Sequence, residues 1–311
     1  MASWLAAGGV GAGALCGALL IDRAVGEPPP WLHPVVGMGR YLGALGPWLT
    51  RRTPVAAFAG GALAWTAGAL ASAALAALAV RGLARLPWPF ALAGLALLLK
   101  PLLAWRMLHD EVAGVESALQ DSLAHGRARL QRLVSRDVAA LDATQVRESA
   151  IESLAENLND SVVAPLFWFV LAGLPGAALY RFANTADAMW GYRGRYEWAG
   201  KWAARADDLL SWLPARLTAL LLCLAACRLP AALRRQARAT PSPNGGWPMG
   251  AMALLLGVRL AKPGVYVLNA GGEPCAARHT RQALAWGQRA VAWAAGLGVA
   301  AMLGAAALAG S

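Results

Sequence analysis

Six long apolar runs dominate the sequence and leave few folds open to it. They are 3–21, 54–80, 88–105, 162–182, 209–229 and 287–310. A helix that spans a bilayer needs about 20 mostly apolar residues. Only 14% of the residues are charged, whereas soluble globular proteins carry about 25%. We therefore predict an all-α protein, a polytopic integral membrane helical bundle of roughly four to six passes that forms one domain over residues 1–311.

The polar segments between the apolar runs carry most of the basic residues. Cytoplasmic loops of membrane proteins are enriched in Lys and Arg, so we place the N-terminus outside and segments 22–53, 106–160 and 230–286 on the cytoplasmic side. Segment 106–160 has apolar residues at helical spacing, which predicts amphipathic helices at this membrane face. The stretch DRAVGEPPPWLHPVVGMGR in the first segment is rich in Pro and Gly, and we predict that it is not regular helix.

One polar segment, 183–208, falls on the opposite side in this scheme although it is dense in Arg, Asp and Asn. The run before it, 162–182, contains Pro165 and the sequence GLPG, which predict a break into two half-helices. A re-entrant hairpin would resolve the conflict, because irregular backbone is tolerated at membrane depth where protein covers it. The run 209–229, with Pro214 inside it, is a second candidate for an irregular element.

Charge and cysteine usage exclude several classes of protein. The net charge of +11 reports membrane orientation, and since the basic residues are not interleaved with aromatics in one stripe we expect no nucleic-acid binding. The four cysteines show no zinc or disulfide spacing. The N-terminus lacks a basic leader, so we expect no cleaved signal peptide.

The sequence ESAIESLAENLND places four carboxylates at a spacing of four, and they are Glu148, Glu152, Glu156 and Asp160. This acidic row lies on one face of a helix, where like charges repel by roughly 0.2–0.5 kcal/mol per pair unless cations lie opposite. Asn157 and Asn159 accompany it. Two interpretations stay open, namely a solvated helix face and a polar site built around a metal or a cationic ligand.

Four further polar clusters lie at the ends of apolar runs. They are Asp22, Glu27 and His33; Asn184, Asp187, Tyr192 and Arg193; Arg205, Asp207, Asp208 and Arg216; and Ser242, Asn244, Gly245, Gly246 and Trp247. A lone His in a Pro-rich loop is usually structural, whereas an Arg inside an apolar run is by default functional or paired with an acid. Carboxylates with Asn oxygens suit Mg²⁺, and arginines suit phosphate or carboxylate oxygens. No Walker, nucleophile-elbow, HExxH or kinase motif is present.

Five stretches carry a resemblance to a known family. They are GEPPPWLHPVVGMGR, ESAIESLAENLNDSVVAPLFW, NTADAMWGYR, WAARADDLLSWLPARLT and SPNGGWPMGAMALLLGVRL. In this order, and over most of the chain, they resemble the cobalamin-biosynthesis family CobD/CbiB, the adenosylcobinamide-phosphate synthases. The stretch after Arg259, AKPGVYVLNAGGEPCAARHT, departs from the family pattern, and we assign no catalytic role there.

The resemblance implies an ATP-dependent amide ligase that joins adenosylcobyric acid to aminopropanol phosphate or aminopropanol, with Mg²⁺ and ATP as cofactor and co-substrate. It also implies a place in the cell (inner) membrane, with the active site on the cytoplasmic side and with the lipid bilayer and other late enzymes of the pathway as partners. ATP-driven amide formation commonly passes through an acyl phosphate, which fits acids and arginines in one pocket.

We combine the resemblance with residue chemistry to predict roles. The predicted metal ligands are Glu152, Glu156 and Asp160, and the predicted catalytic residues are these three with Asp187 and Asp207 as proton acceptors. The predicted substrate-binding residues are Asp22, His33, Asn157, Asn184, Tyr192, Arg193, Arg205, Asp208, Arg216, Ser242, Asn244 and Trp247. We expect all the clusters to converge in one pocket.

Three alternatives remain open at this point. A corrinoid-binding or transporting membrane protein would also use intramembrane polar groups, although we find no inverted repeat. An AmpE-like membrane signalling protein is distantly similar to the family and would lack ligase activity. The acids and arginines could also form a purely structural ion-paired scaffold between helices.

Overall fold

A computed structural model describes residues 8–192 and 194–310. Helices dominate these residues, and the only sheet among them is a two-stranded antiparallel hairpin of β1 (Leu260–Lys262) and β2 (Tyr266–Leu268), which confirms the all-α class. The helices are α1 (Gly9–Val25), α2 (Pro34–Leu49), α3 (Pro54–Leu83), α4 (Trp88–Leu99), α5 (Trp105–Asp121), α6 (Leu123–Leu130), α7 (Ala143–Leu158), α8 (Ala164–Trp190), α9 (Lys201–Leu210), α10 (Trp212–Ala225), α11 (Leu233–Ala237), α12 (Gly246–Leu256) and α13 (Ala277–Gly310).

Several helical stretches are long and apolar enough to cross a membrane. Within the described residues they are Pro54–Leu83, Trp88–Asp121, Ala143–Trp190 and Ala277–Ala309, and a fifth results if α9 and α10, which meet at a 47° bend, count as one span. This range agrees with the predicted number of passes. The predicted run 3–21 begins outside the described residues, and its described part belongs to α1.

The Pro-rich stretch near the N-terminus contains more helix than predicted. Only residues 26–33 lie outside helices, because α2 begins at Pro34. The prediction of irregular backbone is therefore wrong for most of the stretch. Proline is tolerated at the first helical position, where its missing N–H would have no partner in the helix. His33 caps the helix, since its Nδ1 accepts a hydrogen bond from Val35 N at 3.3 Å.

The predicted break in the run 162–182 occurs at its GLPG sequence. Gly173 has φ 65° and ψ −162°, a non-helical conformation that bends α8, and Pro175 follows inside the helix. A side chain other than hydrogen is strained at this φ, which explains the glycine. Pro165 does not end the helix, because Ala143–Trp190 runs as one helical stretch and Pro165 directly follows the π-helical turn Asn159–Val163 within it.

The described residues divide into two compact units, between which the chain passes several times. Unit 1 consists of the described parts of Met1–Ala104, Ala164–Ser211 and Ala295–Ser311. Phe182 and Trp190 of α8 pack there with Leu42 and Leu49 of α2 in a buried core. Tyr41 adds an aromatic contact, with its ring centroid 6.1 Å from that of Phe182.

Unit 2 consists of Trp105–Val163 and Trp212–Ala294. In it, α12 packs against α7, α10 and α11, and the β1 strand packs against α7. A capping box starts α7: Asp142 accepts a hydrogen bond from Gln145 N, and the Gln145 side chain accepts one from Asp142 N. This cap satisfies two backbone donors at the helix start and positions the acidic row that follows.

Candidate active site

The acidic row runs along α7 into the π-helical turn Asn159–Val163. Glu148 and Glu152 are buried, with 3% and 5% of their surface exposed, whereas Glu156 is exposed and Asp160 is half-buried. The row therefore passes from the interior of unit 2 to its surface, and its second half is the part that a ligand reaches.

Cations compensate the buried half of the row. Arg136 Nη2 lies 3.2 Å from Glu152 Oε2 and also donates to Ser149 Oγ. Arg259 Nε lies 3.9 Å from Glu148 Oε1. A buried charge is stable only when it is paired and hydrogen-bonded, so these contacts explain how one helix face tolerates the like charges.

The β-hairpin supplies a further partner for the acidic row. The Tyr266 side chain approaches Glu152, and its hydroxyl donates a hydrogen bond to Met249 Sδ at 3.6 Å. Burial raises the pKa of Tyr266, and the negative charges of Glu152 and Glu156 raise it further, so the phenol keeps its proton and acts as a donor. Sequence analysis assigned no role to the stretch after Arg259, and no local motif marks Tyr266. Only the packing of β1 against α7 reveals it.

The amide groups beside the row stabilise the backbone around it. Asn157 Nδ2 donates to Ser153 O at 2.9 Å, one turn back on α7. Asn159 Nδ2 donates to Asp160 Oδ1 at 2.7 Å, while its Oδ1 accepts from Thr218 Oγ1 of α10 at 3.1 Å. The π-helical turn is thus held by side-chain hydrogen bonds, and such turns are frequent at functional sites.

A loop before α12 approaches the exposed end of the row. Ser242 Oγ accepts hydrogen bonds from Asn244 N at 3.2 Å and from Gly245 N at 3.1 Å. A methyl group on Gly245 would lie 3.4 Å from Glu156 Oε1, an ordinary van der Waals contact, so the loop passes directly beside that carboxylate. The structure therefore brings together Ser242, Asn244 and Glu156, which sequence analysis predicted as parts of one site.

Arg216 stabilises this loop through hydrogen bonds. Its Nη1 donates to Asn244 Oδ1 and to Trp212 O, each at 2.7 Å, and its Nη2 donates to Pro243 O at 3.1 Å. The guanidinium also lies 4.5 Å from the ring centroid of Trp212 and 4.9 Å from that of Trp247. The arginine predicted to bind substrate is thus engaged in ordering the loop and its two tryptophans.

A cavity of about 720 Å³ opens beside the same loop. Its lining residues are Trp212, Arg216, Arg234, Ala237, Arg238, Thr240, Pro241, Ser242, Pro243 and Trp247. Three of them are arginines and none is a carboxylate, so the cavity is cationic. Arg234 and Arg238 belong to no predicted cluster.

Two predicted residues of unit 1 form an ion-paired cluster. Lys100 Nζ lies 3.3 Å from Asp22 Oδ1 and 2.9 Å from Glu27 Oε1, and His33 Nε2 lies 3.0 Å from Glu27 Oε2. Burial raises the pKa of Glu27, but the hydrogen bonds from His33 and Lys100 outweigh it and leave the pKa below its usual 4.5. The other ring nitrogen of His33 caps α2. His33 therefore has a structural role, which is usual for a lone His in such a loop.

The remaining predicted residues of unit 1 lie at the end of α8 and on α9. Asn184 accepts a hydrogen bond from Arg181 Nη1 at 3.4 Å. Among the others, Asp207 is buried, Asp187 and Asp208 are half-buried, and Arg205 and Tyr192 are exposed. Arg193 lies outside the described residues. The predicted residues are thus divided between the two units, and their convergence in one pocket stays a prediction.

The predicted magnesium ligands fit the ion in part. No group of three or more His, Cys, Asp or Glu side chains surrounds a metal position in the described part of the chain. Glu152 is engaged with Arg136 and Tyr266. Mg²⁺ that arrives with substrate phosphates needs only one or two protein carboxylates. Glu156 and Asp160, at the accessible end of the row, suit that role.

Comparison with known proteins places this architecture in a family. The CobD/Cbib protein family matches residues 15–293, which include both halves of the acidic row and all of the loop before α12. The chain belongs to the CobD/CbiB family. This family acts in cobalamin biosynthesis, and the resemblance predicted from the five sequence stretches is confirmed.

Curated relatives in the CobD/CbiB family cover most of the chain. A probable cobalamin biosynthesis protein CobD of Thermococcus kodakarensis is 46% identical over 259 residues, which are 83% of this chain and 84% of the relative. The cobalamin biosynthesis protein CobD of Chromobacterium violaceum is 45% identical over 253 residues, which are 78% and 79% of the two chains. No solved structure matches the chain.

Proposed function

We propose that this CobD/CbiB-family protein is an ATP-dependent ligase that joins a carboxylate of adenosylcobyric acid to the amine of aminopropanol phosphate or aminopropanol. The observation that carries the proposal is that carboxylate and arginine side chains lie beside one loop in unit 2. Glu156 of α7 lies beside the loop 242–246, and the cationic cavity opens beside the same loop. ATP-driven ligation needs both, because carboxylates hold the cation of the nucleotide and arginines hold phosphate oxygens.

The reaction balances in two steps. A carboxylate oxygen of the corrinoid attacks the terminal phosphorus of ATP, ADP leaves, and an acyl phosphate forms. The amine then attacks the acyl carbon, the C–N bond forms, and phosphate leaves with that carboxylate oxygen. The ammonium loses two protons, one carried away by the phosphate and one released to solvent.

Glu156 and Asp160 are the proposed holders of Mg²⁺, which screens the nucleotide phosphates when it is bound. The buried ion pair of Glu152 with Arg136 stabilises the inner half of the row. We also propose that the protein lies in the cell membrane with this site on the cytoplasmic side, because segments 106–160 and 230–286 are rich in arginine.

The direct test combines purified protein, adenosylcobyric acid, Mg²⁺·ATP and either amine, with mass spectrometric detection of the amide and measurement of ADP. We expect one amide per ADP. Glu156→Gln should raise the Mg²⁺ concentration for half-maximal rate by about tenfold or more, while Asp121→Asn, at the exposed end of α5, should behave as wild type. Binding of adenosylcobyric acid without any amide product would instead favour a corrinoid-binding or transporting protein.

A further inference from the structure

The cationic cavity of unit 2 has no carboxylate to balance its charge. Arg216, Arg234 and Arg238 line it, together with the hydroxyl residues Thr240 and Ser242. Its volume of about 720 Å³ lies within the range of small-molecule sites, about 300–1,000 Å³. A concave site of this size with one sign of charge attracts an anionic ligand.

The arginines of the cavity have different tasks. Arg216 donates hydrogen bonds to Trp212, Pro243 and Asn244 and so positions part of the cavity wall. Arg234 and Arg238 are exposed, and no ion pair with either of them is found within residues 8–192 and 194–310. These two guanidinium groups are therefore the ones that a ligand can engage.

The local helix presents both groups on one side. Arg234 lies in α11, and Arg238 caps its C-terminus four positions later, so the two occupy the same face one turn apart. Like charges at this spacing repel each other. A phosphate between them would relieve the repulsion and accept hydrogen bonds from both planar guanidinium groups.

We infer that the cavity binds a phosphate group of a substrate, with Arg234 and Arg238 as its anchors and Arg216 as a positioning residue. The inference rests on the proposed ligase function for the identity of that substrate. Two substrates carry the required chemistry, namely the phosphomonoester of the amine and the polyphosphate of the nucleotide.

The test measures binding to the full chain in detergent by isothermal titration with inorganic phosphate, aminopropanol phosphate, aminopropanol and Mg²⁺·ATP. The double variant Arg234→Gln/Arg238→Gln should weaken phosphate binding by about tenfold or more, the scale of one or two lost charge-assisted hydrogen bonds. Arg235→Gln is the matched control, because Arg235 is an exposed neighbour on the same helix that does not line the cavity.

The ligands distinguish the sources of the phosphate. If the amine supplies it, the double variant raises KM for aminopropanol phosphate and leaves KM for aminopropanol and ATP unchanged; if the nucleotide supplies it, KM for ATP rises instead. Unchanged phosphate affinity in the double variant, or an equal loss in Arg235→Gln, overturns the inference. Phosphate binding that depends on both arginines in a protein that makes no amide would support the site and reject the ligase.

Discussion

The side chain of Tyr266 approaches that of Glu152, although the two residues lie on elements that are far apart in the sequence. The tyrosine comes from the only hairpin in the described residues, and the glutamate comes from the buried half of the acidic row. Arg136 supplies the second contact of that carboxylate. The hairpin is therefore part of the candidate site, and its contribution is open to measurement.

Replacement of Tyr266 by Phe removes the hydroxyl donor and keeps the ring. We expect kcat/KM for the amide to fall by about fivefold, the scale of one lost hydrogen bond between uncharged groups, because the hydroxyl donates to Met249 Sδ beside Glu152. Because the pKa of Tyr266 is raised well above its usual 10.0, the loss should be the same from about pH 6 to pH 9. Steady-state kinetics of wild type and variant across that pH range measure the loss in kcat/KM.

Tyr41→Phe is the matched control for this experiment. The Tyr41 hydroxyl donates to Ala64 O at 2.8 Å in unit 1, whereas the acidic row belongs to unit 2. Its loss should lower the free energy of unfolding by about 1 kcal/mol and leave kcat/KM close to wild type. Equal kinetic losses in Tyr41→Phe and Tyr266→Phe would show that Tyr266 acts only through general stability.

Removal of Arg136 leaves Glu152 buried without its counter-ion. We expect Arg136→Ala to lower the free energy of unfolding by roughly 3 kcal/mol, as for other broken buried pairs. Addition of Glu152→Gln should restore part of that loss, because the uncompensated charge disappears. Arg106→Ala, which breaks a pair between exposed side chains of Arg106 and Asp110, should cost at most about 1 kcal/mol. Chemical denaturation in detergent measures all three, and additive effects in the double variant would contradict the pairing.

The ion-paired cluster of unit 1 predicts a dependence of stability on pH. The pKa of Glu27 is lower in the folded protein than its usual 4.5, so its contribution to stability is fully present above about pH 4.5 and is lost as the pH falls through the folded value. Wild type should therefore be more stable than Glu27→Gln at pH 7, and this advantage should shrink towards pH 3. Thermal unfolding of both proteins at matched pH tests the sign. An advantage that grows on acidification would refute it.

Arg216 is expected to act through the loop that it holds. Lysine keeps the charge but lacks the planar fork whose two nitrogens reach Asn244 and Pro243. Arg216→Lys should therefore increase hydrogen exchange of the amides of 242–246 and lower kcat/KM by about tenfold. Asn244→Ala removes the partner. The two substitutions together should cost much less than the sum of each alone, since they break one shared interaction. Full additivity in this cycle would count against a positioning role.

Much of the architecture follows from local sequence. Apolar runs long enough to span a bilayer became helices at the predicted places, and GLPG bent α8 at Gly173. These outcomes depend on neighbouring residues, through hydrophobic length and backbone freedom. The prediction of irregular backbone for the Pro-rich stretch was wrong because it was based on composition, which marks proline as a helix breaker. The effect of a proline depends on whether it lies in the first turn of a helix.

The site was predictable only in part. The spacing of four placed the acidic row on one helix face, and five sequence stretches indicated the family. The spacing did not show that Glu152 is buried and Glu156 exposed, nor that Arg136 and Tyr266 approach the former. His33 and Arg216 were predicted as substrate-binding residues, whereas the structure engages them in a helix cap and a loop contact.

The sequence by itself determined the helical membrane class, the acidic row and the family, because each of these depends on residue type and spacing along one stretch. The tertiary structure alone decided which acids are buried, which cations pair with them and where Arg234 and Arg238 line a cavity. Burial and ion pairing are set by segments that meet in space after long intervals of chain, and their energies depend on the local dielectric and geometry that only packing creates.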